Sequence, residues 1–236
     1  MLSRKILLSA VVAAFAMAPS IASAATNLIT NGDFSGGFSG FTTQYNQVGV
    51  SPDSMVPEGN ITIAANPVDV HHFWVDLPGA TNPMLIANGA ANSTLNIWAQ
   101  DVSVVSGTNY NFSAGVMNVC CNVSFGGANS PSSILFQVSS DGGTNWTTIA
   151  SRLTDPTTDI GILESVNGSY LATTTGAITL RAINDINVAS GNDFALDNLS
   201  FASAVPEPGT WAMLFLGFGA IGLMMRRRQS RGMAVI

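Results

Sequence analysis

Two adjacent histidines, two adjacent cysteines and a scatter of carboxylates are the residues of this chain with chemistry to offer. His71 and His72 stand in "VDVHHFWVDLPG" close to Asp69 and Asp76, and imidazole beside carboxylate suits metal binding or acid–base work. If that stretch is a strand, however, neighbouring side chains point to opposite faces and the two rings do not meet at one ion, so an ordinary strand with one outward imidazole is expected. Cys120 and Cys121 have no further cysteine to pair with, which excludes a zinc site of the cysteine-rich kind. Their Cα atoms are about 3.8 Å apart across a trans peptide, below the usual disulfide range. The alternatives are a strained vicinal bridge, two thiols on opposite strand faces, or bridges between molecules. No G-x-S-x-G nucleophile elbow occurs, and no pair of acids stands out as the two carboxylates of a glycoside hydrolase. No catalytic residue is assigned, and no enzyme is expected.

The charges are unevenly placed. Of the eight Lys and Arg only Arg152 and Arg181 lie between residues 25 and 205, whereas 13 of the 14 acids do, a formal −11. Neutralising phosphates needs clustered cations, so nucleic acid is excluded as a partner.

The elements that must position these groups read as strands. In "NYNFSAGVMNV" Tyr110, Phe112, Ala114 and Val116 share one face and Asn109, Asn111, Ser113 and Gly115 the other, the pattern of a half-buried strand. "SILFQVSSDGGTNWTTIA" predicts two strands joined at Asp141-Gly142-Gly143, because Asp and Gly tolerate the positive φ of a hairpin turn. "AITLRAIN" and "DFALDNLSFA" are further strands, Pro52, Pro57 and Pro67 mark an irregular early connection, and no amphipathic helix is evident. Residues 25–203 are therefore predicted to be an all-β domain, an antiparallel β-sandwich.

Both ends read as targeting. "MLSRK" followed by "ILLSAVVAAFAMA" and the small residues Ala22 and Ala24 predicts a signal peptide over 1–24, cleaved after Ala24 by signal peptidase, with an uncleaved anchor as the alternative. Near the other end, residues 211–225 are 15 uncharged, mostly apolar residues followed at once by arginines. A helix of that length covers roughly 22 Å of a hydrocarbon core about 30 Å thick, a short membrane span aided by local thinning or snorkelling. The arginines resist translocation, which puts residues 226–236 in the cytoplasm and the β domain outside it. Between them, residues 204–210 hold "VPEPGT", whose two prolines bar helix and sheet pairing and leave an extended, accessible segment.

Pro206, Glu207 and Pro208, then a short apolar helix, then Arg226, Arg227 and Arg228, resemble the PEP-CTERM sorting signal of Gram-negative bacteria that make extracellular polysaccharide. That resemblance covers about the last 30 residues. It implies an exosortase that cuts near Pro-Glu-Pro and releases or re-attaches an exported, initially membrane-anchored domain. The tail "QSRGMAVI" is longer than such signals usually have.

A second resemblance concerns the β domain. "LITNGDF", "NIWAQDVSVVSGTNYNFSAGV" and "FALDNLSF" resemble the galactose-binding-like jelly roll of carbohydrate-binding modules and secreted surface domains. In that family the first and last strands meet, and an "NGDF" helps to build a structural calcium site with an Asp of the final strand, which here implies Asp33 and Asp197. Strand phase puts Asp197 with Ala195, Leu199 and Phe201 on the apparent core face, where a carboxylate needs a cation or hydrogen-bond donors. Calcium is one outcome, backbone N–H donors the other, and Ser35 stands where such motifs usually have Glu. The stretch 26–41 is expected to be a first strand with a turn, anchored by Phe34, Phe38 and Phe41. The jelly-roll likeness also implies glycan binding, for which Trp98 and Trp146, beside turn-rich segments, are the candidate aromatic platforms. The expected protein is an exported surface or matrix protein with a structural or binding domain. The rivals are a true module for extracellular polysaccharide and, less well supported, a glycan-active enzyme.

Overall fold

Strand-forming runs of 2 to 10 residues, most of them alternating apolar and polar and broken by glycines at positive φ, give ten strands among the described residues. The computed structural model describes residues 25–121, 130–188, 190–204, 214–222 and 226. The strands are β1 (Asn46–Gln47), β2 (Asn60–Ala64), β3 (Met84–Ala87), β4 (Asn96–Val104), β5 (Asn109–Asn118), β6 (Ser133–Ser139), β7 (Thr147–Leu153), β8 (Glu164–Leu171), β9 (Gly176–Asn184) and β10 (Phe194–Ser203). One sheet has the order β1-β2-β3-β10-β5-β8 and the other β4-β9-β6-β7, and all pairings are antiparallel except the short β1/β2 pair. Among the described residues of 25–204 the only helical element is the 3-10 turn Pro67–Asp69. The two sheets enclose the main core, to which β5 contributes Tyr110, Phe112, Ala114 and Val116, the face that alternation predicts.

A second apolar cluster lies on the far side of the six-stranded sheet. Strand neighbours divide between the two: Leu85, Val116 and Leu196 face the main core, whereas Ile86, Met117 and Ala195 join Met55, Val70, Trp74 and Cys120. The residues that cover this outer face come from the proline-rich stretches on either side of β2, Val48 and Met55 before it and Val70, Trp74, Val75 and Leu77 after it, together with Val119, Cys120 and Cys121. β3 is consequently buried at every position, the continuous apolar run of a strand covered on both sides.

The opening segment corrects an expectation. Residues 28–41 form turns rather than a regular first strand, tied to the last strand by the Asn27–Ala202 bridge and by the bonds Leu28 N to Phe201 O and Leu199 N to Gly32 O. Asn31 organises the turns: its side-chain N–H groups donate to Gly37 O and Ser39 O, and its Oδ1 accepts from Gly36 N. Gly32 presses on the last strand so closely that a Cβ there would lie 2.1 Å from Leu199 O. Phe34 is fully buried and meets Phe41 edge-on at 5.6 Å between ring centroids, while Phe38 and Phe41 pack against the core.

Contacts divide the chain into the unit 25–204 and a second made of 1–24 and 205–236. Both apolar clusters lie within 25–204, which therefore has what it needs to fold by itself. In the other unit, residues 214–222 are helical. Among the described residues no helix is long and apolar enough to cross a membrane. The signal segment 1–24 with Ala22 and Ala24, the motif Pro206 to Pro208, the rest of the span 211–225, and Arg227 and Arg228 lie outside the described residues.

Candidate glycan-binding face

The outer face of the six-stranded sheet is covered over β2, β3 and part of β10 and left exposed toward β8, whereas the four-stranded sheet presents an outer face of polar side chains. On it stand Asp101 from β4, Thr179 and Arg181 from β9, Gln137 from β6 and Thr148 from β7, in register with one another across the strands. Thr179 Oγ1 donates to Asp101 at 2.7 Å and Gln137 Nε2 to Thr148 Oγ1 at 3.2 Å. Arg181 occupies the middle, donating through Nε to Gln137 at 2.8 Å and through Nη1 to Asn96 at 3.3 Å.

Trp146 lies against this cation. Arg181 Cζ sits 3.7 Å from the centroid of the indole, a cation–π contact that holds the ring at the sheet surface. The turn ahead of the tryptophan is built by Asp141, which accepts from Asn145 N, Asn145 Nδ2, Thr144 N and Ser139 Oγ. Those donors, the Asn145 backbone N–H first, hold its carboxyl down at about 2. Gly142 and Gly143 supply φ of 73° and 90°, as the hairpin reading requires. Trp146 is thus partly exposed with the Arg181 guanidinium against its ring.

Trp98 is no stacking platform. It is fully buried in the main core, and its candidacy falls because it shares the inward phase of Val102 and Val104 on β4, opposite Ala182, an inward residue of β9. Trp74 and Tyr110 are also buried, and Tyr170 packs partly against the core.

The two carboxylates singled out by the resemblance stand as follows. Asp33 is exposed, and its Oδ1 accepts from Ser35 N and Ser35 Oγ, bonds that lower its pKa. Asp197 is only 7% exposed; its Oδ1 accepts from Asn198 N at 2.7 Å, while burial first and the nearby charge of Asp33 push its pKa up. Asp33, Asn31 and Asn198 line a groove of about 430 Å³. The phase assigned to Asp197 needs correction: Asn198 has φ of 55° and β10 carries a bulge between Asp197 and Ser200. Asp197 therefore shares the outer face with Ala195, but Leu199 and Phe201 return to the main core.

Cys120 and Cys121 are joined to each other by a disulfide, both buried in the second cluster. The reading of the histidines on a strand is overturned. Residues 70–73 form turns after the Pro67 3-10 helix, and the rings of His71 and His72 stack at 5.6 Å with 13° between their planes. Asp53, from a separate turn, pairs with His72 Nδ1 at 2.6 Å and accepts from His72 N at 3.1 Å. These bonds hold the Asp53 carboxyl below its ordinary range, and burial lowers the pKa of His71. The bracketing of "VHHFW" by Pro67 and Pro78 was the available sign that no strand runs there.

Comparison with known proteins agrees with both resemblances. Residues 204–228 match the PEP-CTERM protein-sorting motif. No curated protein sequence matches the chain. Among solved structures, the CBM22-1 xylan-binding domain of Xyn10C from Paenibacillus barcinonensis is similar with a TM-score of 0.50 and 14% identity, over 79% of this chain and 99% of that one. The CBM22-1-CBM22-2 tandem of the same protein gives 0.50 and 16%, over 80% of this chain and 49% of that one. The CBM22-1-GH10 modules of Clostridium thermocellum xylanase 10B give 0.45 and 16%, over 71% of this chain and 27% of that one. At these identities the likeness concerns the fold alone, and the chain spans about a quarter of the xylanase chain and half of the tandem. The protein thus carries a PEP-CTERM sorting signal, which implies export, behind a jelly-roll domain with the galactose-binding-like fold of carbohydrate-binding modules.

Proposed function

We propose that this is an exported polysaccharide-binding protein, anchored by a membrane helix over 211–225 until an exosortase cuts near Pro206-Glu207-Pro208, with the outer face of the four-stranded sheet as its binding surface. Trp146 carries the reading, being a partly exposed indole with the Arg181 guanidinium over its ring, among amide and hydroxyl groups. A sugar stacks its apolar face on such a ring while its hydroxyls pair with Gln, Asn and Thr. The xylan binding of the structural neighbour supports this by analogy of fold. Binding rather than hydrolysis is favoured because the four strands contribute a single carboxylate, Asp101, to the face, where glycosidases use a pair.

The test is affinity electrophoresis of residues 25–204 against neutral and acidic polysaccharides. Trp146→Ala should abolish retardation by a neutral glycan while changing stability by less than about 1 kcal/mol; retention unchanged by the substitution refutes the platform. For Asp33 and Asp197 the proposal is shared calcium, supported by the repulsion that Asp33 exerts on the Asp197 carboxyl and by the groove that Asp33 and Asn198 line beside it. Chelation should then lower Tm, calcium should restore it, and Asp197→Ala should remove the response. A melting curve indifferent to chelator rejects that site.

A further inference from the structure

We propose that Asp53, His71 and His72 form a binding site for a divalent late first-row transition metal, zinc or copper. One ligand atom from each of the three residues lies within 4.8 Å of the others. Donors around one such ion at about 2.0–2.2 Å are themselves on the order of 3–4 Å apart, so a small closure of exposed side chains assembles the set. Two imidazoles and a carboxylate select zinc, copper or nickel over calcium, which takes oxygen ligands. Three protein donors leave a position open to water or to an exogenous ligand.

The ligands are held before any ion arrives. His71 stacks on the buried ring of Trp74 at 4.7 Å with 13° between planes, and Trp74 is fixed in turn by its Nε1–H bond to Asp193. His72 is tied to Asp53 by backbone and ring at once, and Asp53 keeps φ of 58°, a left-handed conformation that Asp tolerates better than most residues. Asp53 and the histidines belong to two separate turns of the segment that covers the six-stranded sheet. An ion bridging them would therefore staple that cover across 18 residues of chain.

A feature of composition makes the test unambiguous. His71 and His72 are the only histidines in the chain, and both cysteines are in the disulfide. Any imidazole nitrogen detected on a bound metal must come from this pair. The untagged full chain in detergent is titrated with zinc by calorimetry, and with copper under electron paramagnetic resonance. Expected are one saturable zinc site per chain and nitrogen hyperfine structure from two imidazoles. Asp53→Asn and His72→Gln, at exposed positions, should each weaken zinc about tenfold or more; melting of each apo variant near the parent Tm establishes that it is folded. Absence of saturable binding, or binding with the same affinity in both folded variants, overturns the proposal.

Discussion

Asp193 is the most deeply buried carboxylate described, and its two oxygens accept from Trp74 Nε1 at 2.9 Å and Gly89 N at 3.0 Å. Burial outweighs these bonds and pushes its pKa up to about 7. A folded-state value above the unfolded one means that the native chain holds the extra proton between about pH 4 and pH 7, so stability falls as pH rises through that window, by up to about 4 kcal/mol. Melting should therefore occur at a higher temperature near pH 5 than near pH 8, and the slope should flatten in Asp193→Asn. A slope unchanged in that variant places the effect elsewhere. Sequence reading singled out Asp197 four residues on, because a family motif and strand phase pointed there, whereas Asp193 acquires its environment from Trp74 and Gly89, more than a hundred residues away in the chain. That Trp146 stays partly exposed follows from a local feature, its place beside a hairpin turn. Trp98 offered a similar local sign but is core, in phase with Val102 and Val104 on β4.

β5, the β6–β7 hairpin, β9 and β10 were legible because each is a self-contained period and falls where alternation and Asp-Gly-Gly put it, whereas β8, whose "ESVNGSYL" has few apolar residues, was not. What alternation could not express is the change of phase inside β10. The bulge there depends on Asn198 at φ of 55°, a region that Asn and Gly enter readily and β-branched residues do not. Asn198→Gly should cost less than about 1 kcal/mol, whereas Asn198→Val should cost about 1–3 kcal/mol by forcing strain or slipping the pairing with β5. Urea melts of the two variants distinguish the cases, and equal stability would show that the bulge does not need the left-handed residue. The stretch 28–41 was read as a strand with one turn for a related reason: apolar residues there pack as turn anchors, and a run rich in Phe and Gly carries no period to separate turn from strand.

At the scale of the whole chain the sorting signal was the most legible feature, since Pro206-Glu207-Pro208 and the arginines are read in linear order and need no folded partner. If an exosortase acts there, the intact mass of the surface-exposed protein from a host with that enzyme should correspond to a chain that starts at Ala25 and lacks residues 226–236. A mass that still includes the arginines contradicts processing. The covered face of the six-stranded sheet was not legible, because its cover is an irregular, proline-punctuated segment whose apolar residues follow no repeat. One mechanical consequence follows from the position of β10. The chain leaves the domain through this strand, which lies inside its sheet with β3 on one side and β5 on the other. Tension between a C-terminal tether and a polymer gripped on the opposite sheet would load β10 along its length. Its flanking ladders would then be sheared together rather than peeled apart bond by bond, and the strand that joins the domain to its tether is the one the fold grips on both sides.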